Sequence, residues 1–288
     1  MANERLIKRR IRSAKNIAQI TKAMQMVAAS KMRRAQVQAI SGRPYAEKIA
    51  EMVQKFTRTI EEEKHPLLKR MGIGKRLIIL ISTNKGLCGG LNANLFRSLN
   101  GWYDRSDIEN CLFVTLGKKG ENFLVRSGRK LLADFSERLP FSDAIPALTT
   151  FITEGFLKNE FNQIDMTYNN FISALRQEPT KKQILPIVGS IRISGEKDTR
   201  EESLDFLVEP SVDAILDMLL FHYLVNQIRD AVLEAEASEH SARMIAMKNA
   251  TDNARELIDI LTLEYNKARQ AKITFEIADM ITARLAVE

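Results

Sequence analysis

The sequence predicts an α/β fold with long helices, in which N- and C-terminal helices form an antiparallel coiled coil flanking an inserted, Rossmann-like α/β domain. Three observations predict it. Residues 211–288 contain neither Gly nor Pro, and residues 3–58 contain one of each. Between them, short apolar runs and glycines alternate with helical patterns. An unbroken C-terminal helix would be about 115 Å long, more than a compact domain of this size spans, so it needs a long partner.

The N-terminal coiled-coil segment is predicted at residues 1–60, with a helix from residue 3 to about residue 58. Its apolar stripe recurs every three or four residues, as a helical seam requires. The stripe consists of Ile7, Ile11, Ala14, Ile17, Thr21, Met24, Val27 or Ala28, Met32 and Ala35. Gly42 and Pro44 are the residues in it that disfavour a helix, and Pro44 is expected to bend or break it near residues 41–43.

The α/β domain is predicted at residues 72–209. Strands are expected at 76–82, 111–116, 131–135, 164–171 and 184–188, and helices at 91–103, 118–126 and 145–159. The first strand is a continuous apolar, β-branched run bounded by glycines, which is typical of a strand buried on both faces. The alternation of strands and helices predicts a parallel sheet, and residues 189–209 read as a polar return.

The C-terminal coiled-coil segment is predicted at residues 210–288. The seam expected in its last third is Ala254, Leu257, Leu261, Tyr265, Ala268, Ala271, Phe275, Ala278, Ile281 and Leu285. Alanine at several of these positions lets a second helix approach closely. The two terminal helices can therefore bury their stripes against each other.

Composition narrows the class of protein. Of the 288 residues, 45% are hydrophobic, which suffices for a sizeable core. No apolar run is long enough to cross a membrane, and no cleavable leader follows the basic start, so the sequence predicts a soluble intracellular chain. Cys88 and Cys111 are its two cysteines, which fits a reducing compartment and structural thiols.

The positive charge is concentrated at one end. The net charge is +7, and residues 1–34 carry ten basic residues against the single acid Glu4. They are Arg5, Lys8, Arg9, Arg10, Arg12, Lys15, Lys22, Lys31, Arg33 and Arg34. Such an excess indicates an anionic partner, either a nucleic acid or an acidic protein surface.

Catalytic chemistry is not predicted. The glycine-rich loop at residues 82–92 joins a strand to a helix, yet its glycines fit neither the dinucleotide fingerprint nor the phosphate-binding P-loop. The three histidines are scattered without metal-ligand spacing. Glu236, Glu239 and His240 are expected to be solvated or to face a partner. The sequence therefore predicts no catalytic residue, no metal site and no cofactor.

Several motifs resemble a known family. They are ITKAMQMVAASKMRRA at residues 20–35, RPY at 43–45, GLCGGLN at 86–92, SEHSARM at 238–244, MKNATDNA at 247–254 and YNKARQ at 265–270. Together they are similar to the gamma subunits of F-type ATP synthases. The absence of a transit peptide and of an extra cysteine pair favours the bacterial type.

The resemblance implies a non-catalytic central rotor stalk that couples proton flow through a membrane c-ring to conformational cycling of a catalytic alpha/beta ring, for ATP synthesis or hydrolysis. The implied partners are the alpha and beta subunits, the epsilon subunit and the c-ring, with no nucleic acid and no direct small-molecule substrate. The implied location is peripheral, on the cytoplasmic face of the bacterial inner membrane.

The resemblance also implies contact residues. Those expected to face the alpha/beta ring are Arg9, Arg10, Lys22, Met24, Arg33, Arg34, Lys85, Cys88, Arg269, Gln270, Thr274 and Glu276. Arg43 and Tyr45 are expected at the foot, near the epsilon subunit and the c-ring. The mostly apolar residues after 272 suit a low-friction bearing.

Two other functions compete with this interpretation. A basic coiled-coil protein that binds nucleic acid would explain the N-terminal charge, and its binding would weaken steeply with salt. A nucleotide-dependent enzyme built on the α/β insert would need a phosphate-binding loop, which residues 82–92 do not match.

Overall fold

The computed structural model describes residues 2–59, 65–69, 72, 74–103, 105–137, 140–187 and 212–285. Its helices are α1 (Ala2–Thr59), α2 (Leu91–Trp102), α3 (Arg105–Asn110), α4 (Lys118–Arg126), α5 (Ile145–Leu157) and α6 (Val212–Leu285). Its strands are β1 (Lys75–Ile81), β2 (Leu112–Leu116), β3 (Leu131–Asp134), β4 (Phe161–Phe171) and β5 (Gln177–Leu185). Two long helices flanking a sheet domain confirm the predicted fold class.

Helix α1 continues through Pro44, so the expected break is wrong, and the other expected outcome, a bend, stays a prediction. Proline deprives the Ile40 carbonyl of its helical hydrogen bond. Ile40 and Pro44 are both exposed, so water can hydrate that carbonyl. The loss is therefore tolerated without ending the helix.

The sheet has the strand order β3-β2-β1-β4-β5. β1 pairs in parallel with β2 and with β4, and β2 pairs in parallel with β3. The predicted parallel sheet is thus correct for four strands and wrong for the fifth, because β5 runs antiparallel to β4. Strand order reverses between β1 and β4, the position at which open α/β sheets form a crevice beyond the carboxyl ends of their strands.

Strand β5 spans Gln177–Leu185 rather than the predicted 184–188. Its sequence, QEPTKKQIL, lacks an apolar alternation and contains Pro179. Proline is tolerated in a strand at the edge of a sheet, where one side needs no hydrogen-bond partner. Helix α3 was also not predicted, and the polar return at 189–209 lies outside the described residues.

Alternate residues of β1 build two apolar layers. Leu77, Ile79 and Ile81 contribute to the larger cluster, with side chains of α5, the first part of α6 and residues 49–56 of α1. Ile78 and Leu80 contribute to the smaller cluster with α2 and β2. Each fully buried Leu or Ile side chain stabilises the fold by about 1.5–3 kcal/mol, so the sheet is held from both faces.

Two compact units make up the chain. One contains α1 up to Ala29 together with α6 from Arg243. The other runs from Ser30 to Ala242 and contains the sheet. Each unit is described by itself below.

Candidate functional site

The first unit is built on a regular heptad seam, which we define by its buried and half-buried positions. On α6 these are Met247, Thr251, Ala254, Ile258, Leu261, Tyr265, Ala268 and Lys272. On α1 they are Glu4, Ile7, Ile11, Ala14, Ala18, Thr21, Gln25 and Ala28, and Met24 and Ala29 are half-buried beside the last two. Spacings of three and four residues alternate without interruption on both helices, which is the pattern of a coiled coil.

Some of the predicted seam positions are wrong. Ile17 and Leu257 are exposed, and their neighbours Ala18 and Ile258 take their places. Ala271 is exposed while the stem of Lys272 is half-buried. At each site two adjacent residues can offer carbon surface to the seam, so periodicity alone does not choose between them.

Two contacts align the helices of this unit. The Oγ1 atoms of Thr21 and Thr251 lie 2.7 Å apart. Each hydroxyl also lies within hydrogen-bond distance of a backbone carbonyl of its own helix, Thr21 at 3.0 Å from Ile17 and Thr251 at 2.8 Å from Met247, so either threonine can donate the bond between them. Lys272 Nζ lies 3.6 Å from Glu4 Oε2. Since 21 pairs with 251 and 4 with 272, the helices run antiparallel.

The seam ends at Lys272, so the predicted seam positions Phe275, Ala278 and Ile281 are wrong. We call residues 273–284 the tip, and every one of them is exposed. The tip carries large apolar side chains, with Phe275 71% and Met280 67% exposed. Thr274 and Thr282 each donate a hydrogen bond to a backbone carbonyl one turn earlier, at 3.0 Å. Within the described residues, this apolar surface is therefore left uncovered.

Eight of the predicted ring contacts lie in this unit. Arg9, Arg10, Lys22, Arg269, Gln270, Thr274 and Glu276 are exposed, and Met24 is half-buried. Lys22 bonds to Gln25 on its own helix at 3.3 Å, and Glu276 lies 3.6 Å from Lys272. The unit brings these residues onto one pair of helices and leaves most of them facing solvent.

The glycine-rich loop belongs to the second unit and is held by its own side chains. Asn92 Nδ2 donates to Thr83 Oγ1 at 2.7 Å, and Thr83 Oγ1 donates to the Lys85 carbonyl at 2.8 Å. Asn84 bonds to the Ser136 carbonyl and accepts from the Lys118 amide. These bonds fold the loop onto the carboxyl end of β1.

Of the two loop residues that were predicted to contact the ring, the structure exposes one and buries the other. Lys85 is exposed, but Cys88 is buried and its sulfur lies 3.5 Å from Asn92 Nδ2. Leu87 was not predicted, although it is 62% exposed and has a φ of 63°. A bulky residue in this left-handed region is uncommon and is often found at functional sites. The sequence gives no direct signal for it.

Gly117 supports the same edge of the sheet. Its φ is 112°, and a Cβ there would overlap the Ser82 carbonyl. The close approach lets Ser82 Oγ donate to the Gly117 carbonyl at 3.0 Å and accept from the Gly120 amide at 2.7 Å. Glycine is therefore required where the turn after β2 packs under the loop.

The remaining predicted residues also lie in the second unit. Arg33, Arg34 and Tyr45 are exposed, as is Arg43. Burial raises the pKa of Asp230 and of Glu234 on α6, and the charge of Arg43 is the weakest of the influences that oppose this rise.

Those two acids were missed by the sequence analysis. Burial raises the pKa of Asp230 and of Glu234, and a hydrogen bond from Tyr168 opposes the shift at Glu234. They stand on the face of α6 that packs against β4 and β5. The sequence of the helix shows only that these residues are polar. Their partial burial is caused by the sheet that packs on them, which the periodicity of the helix does not reveal.

Glu236, Glu239 and His240 were expected to be solvated or to face a partner, and the structure places all three as half-buried. Burial, and then Glu239, raises the pKa of Glu236.

Among the described residues, no three His, Cys, Asp or Glu side chains are grouped as a metal site. No described helix is long and apolar enough to cross a membrane.

Solved structures share this fold. The rotor of the Euglena gracilis mitochondrial ATP synthase superposes with a TM-score of 0.64, at 21% identity over 94% of this chain and 99% of that one. The central stalk and c-ring structure from Tetrahymena thermophila mitochondria contains a chain with a TM-score of 0.58 and 24% identity, covering 80% of this chain and 99% of that one.

Sequence relatives match from end to end. The ATP synthase gamma chain of Methylacidiphilum infernorum is 44% identical over 297 residues, covering 100% of both chains. That of Opitutus terrae is 43% identical and covers 99% of both. The family model described as ATP synthase matches residues 3–287. With this agreement along its whole length, the chain belongs to the ATP synthase gamma chain family.

Proposed function

We propose that this chain is the central rotor stalk of an F1Fo ATP synthase, coupling proton flow through a membrane c-ring to conformational cycling of a catalytic alpha/beta ring. Its relatives are gamma chains, and its structural neighbours come from an ATP synthase rotor and a central stalk with its c-ring. The observation in the molecule that carries the mechanism is the exposed apolar tip at the end of a paired helix.

The tip suits a bearing inside a ring of other subunits. Ile273, Phe275 and Met280 offer apolar contact, which is not directional and changes little as the shaft turns. The hydroxyls of Thr274 and Thr282 are already bonded to the helix backbone. A surrounding sleeve would therefore meet few groups that lock the shaft at one angle.

An asymmetric shaft makes three identical sites unequal. The two helices of the first unit differ in sequence and in exposed charge, so three surrounding beta subunits would each touch a different surface. Such contacts shift each subunit toward a different nucleotide affinity only by the difference in contact free energy. Rotation then carries every site through all states.

The exposed cations are the proposed polar contacts with the ring. Arg9, Arg10 and Lys22 project from α1, and Lys85 projects from the glycine-rich loop. The proposed ring contacts also include Met24, Arg33, Arg34, Cys88, Arg269, Gln270, Thr274 and Glu276. Because Cys88 is buried, we propose that it contributes by supporting the loop that exposes Lys85 and Leu87.

At the foot, we propose that Tyr45 and Arg43 lie near the epsilon subunit and the c-ring. Tyr45 is 54% exposed, so its ring is available to a partner. Arg43 has a second role in this proposal, since its charge also offsets Asp230 and Glu234. The chain would bind the complex from the cytoplasmic face of the bacterial membrane as a peripheral subunit.

We further propose that the chain is not itself catalytic. In support, Thr83 and Asn92 of the glycine-rich loop bond to each other, which occupies polar groups that a phosphate would need.

The proposed domain organisation is a coiled-coil helix at 1–60, an α/β domain at 72–209 and a second coiled-coil helix at 210–288.

Reconstitution tests the proposal. The purified chain should neither hydrolyse ATP nor bind it with micromolar affinity, yet it should give an isolated alpha/beta ring its cooperative, rotary turnover. Calorimetry and single-molecule rotation are the measurements. Cooperative rotation of a ring that lacks the chain would refute the stalk role.

The glycine-rich loop offers the matching control. Lys85→Ala should leave the isolated chain as inert toward ATP as the wild type, because the loop does not bind phosphate. If the isolated wild-type chain binds ATP and Lys85→Ala abolishes this binding, the α/β domain is a nucleotide-binding domain.

A further inference from the structure

A small, largely enclosed cavity lies in the second unit, where the carboxyl ends of β1 and β4 meet α6. About 10 Å³ of it is accessible to the centre of a water molecule, which is room for one. Its polar lining comes from Ser82, Thr83, Asn169, Glu236 and Glu239, and the rest is apolar. None of the contacts proposed above uses this cavity.

Asn169 lines the cavity and carries an unpaired acceptor. The residue is 3% exposed, and its Oδ1 atom has no hydrogen-bond partner among the residues that the structure describes. Its backbone carbonyl is satisfied, because Ser238 Oγ on α6 donates to it at 2.9 Å. A buried amide oxygen without a donor is costly, so a donor is expected in the cavity.

Glu236 faces the same cavity from α6. The Phe141 amide donates to its carboxylate, and the charge of Lys31 favours the ionised form, while burial and Glu239 raise its pKa. The carboxylate therefore already has a cation and a backbone donor near it. A neutral ligand with hydrogen atoms to donate fits this setting better than a second cation.

We propose that the cavity binds one ordered water molecule, which donates one hydrogen to Asn169 Oδ1 and the other to the Glu236 carboxylate. Water supplies two donors from one small centre, and the cavity offers two acceptors from two different elements. With the bond from Ser238, the water forms a second polar link between Asn169 on β4 and α6, at a residue two positions before Ser238.

The direct test is a crystal structure of the full chain, or of the complex containing it, at about 1.8 Å resolution or better. One water peak should lie about 2.7–3.2 Å from both Asn169 Oδ1 and a Glu236 carboxylate oxygen. An empty cavity, a direct bond between the two side chains, or a metal ion at about 2.4 Å from several oxygens would each overturn the proposal.

Thermal unfolding of Asn169→Leu adds a second test, because the sign of the change in melting temperature distinguishes a bound water from a dry cavity. Leucine has nearly the same shape but no acceptor. If water bridges the two groups, the variant loses a hydrogen bond and should melt about 2–4 °C lower than the wild type. If the cavity is dry, removing an unpaired buried oxygen should raise the melting temperature instead.

Asn170→Leu is the matched control, because the neighbouring residue does not line the cavity. Glu236→Gln is the second control, since it keeps an acceptor oxygen and should retain the water in the crystal structure. If Asn169→Leu fails to fold, the wild-type structure decides the question alone.

Discussion

The paired and unpaired stretches of α6 are similarly rich in apolar residues, but they differ in what covers those residues. Up to Lys272, buried positions recur with heptad spacing, and Ala254 and Leu261 are 8% and 6% exposed. In the tip, Phe275 and Met280 are each about two-thirds or more exposed. An apolar helical stripe therefore predicts burial without identifying the partner, which here is α1 for one stretch and, in our proposal, another subunit for the other.

The largest expected effect comes from proline. Ala268→Pro lies in the seam and should destabilise the paired helices by about 3 kcal/mol or more, because it removes a helical hydrogen bond and kinks the backbone. In the assembled complex it should abolish coupling between proton flow and ATP synthesis. Amide hydrogen exchange across residues 243–272 and ATP synthesis in membrane vesicles are the measurements.

Ala278→Pro is the matched variant in the tip. In the isolated chain it should leave hydrogen exchange of the seam close to that of the wild type, because no described residue packs on Ala278. Equal loss of protection in both variants would mean that the tip and the seam unfold together, and the distinction between a paired and an unpaired stretch of α6 would be wrong.

A smaller effect is expected from removing a seam side chain. Leu261→Ala should lower the free energy of unfolding by about 2 kcal/mol, near the lower end for buried leucines, because a seam between two helices can partly close. Leu263→Ala, two residues away and 65% exposed, should change it by less than about 0.5 kcal/mol. Urea unfolding followed by circular dichroism measures both, and similar losses would show that the seam is misplaced.

The smallest effect is expected where the seam ends. The pair between Glu4 and Lys272 is partly exposed and 3.6 Å long, so Glu4→Gln should cost only about 0.5 kcal/mol at low salt. The difference from the wild type should vanish near 1 M salt, where screening is complete within a few ångströms. A loss that persists at high salt would indicate packing rather than charge.

Much of the sheet domain could be predicted from its sequence. The apolar runs of β1 and β2 are buried on both faces, so continuous hydrophobicity identifies them. Strand β5 could not be predicted, because its polar residues and Pro179 are acceptable only at a sheet edge, and which strand lies at an edge is decided by tertiary pairing.

The candidate site was less predictable. Exposure of Arg9, Arg10 and Lys22 follows from their positions off the stripe, but the burial of Cys88 and the left-handed backbone of Leu87 depend on the bonds from Asn92 and Thr83 within a folded loop. The half-buried state of Glu236 depends on β4 and Phe141. Such properties arise between elements distant in sequence, where periodicity carries no information.

The two edge strands of the sheet affect how readily the chain aggregates before it is assembled with other subunits. β3 is only four residues long, and β5 carries Pro179, Lys181 and Lys182. Short strands, prolines and lysines at an edge discourage a second molecule from adding its own strand there. Among the described residues, the edges of the sheet are thus protected against aggregation, and the tip is left as the exposed apolar surface, which in our proposal the alpha/beta ring covers.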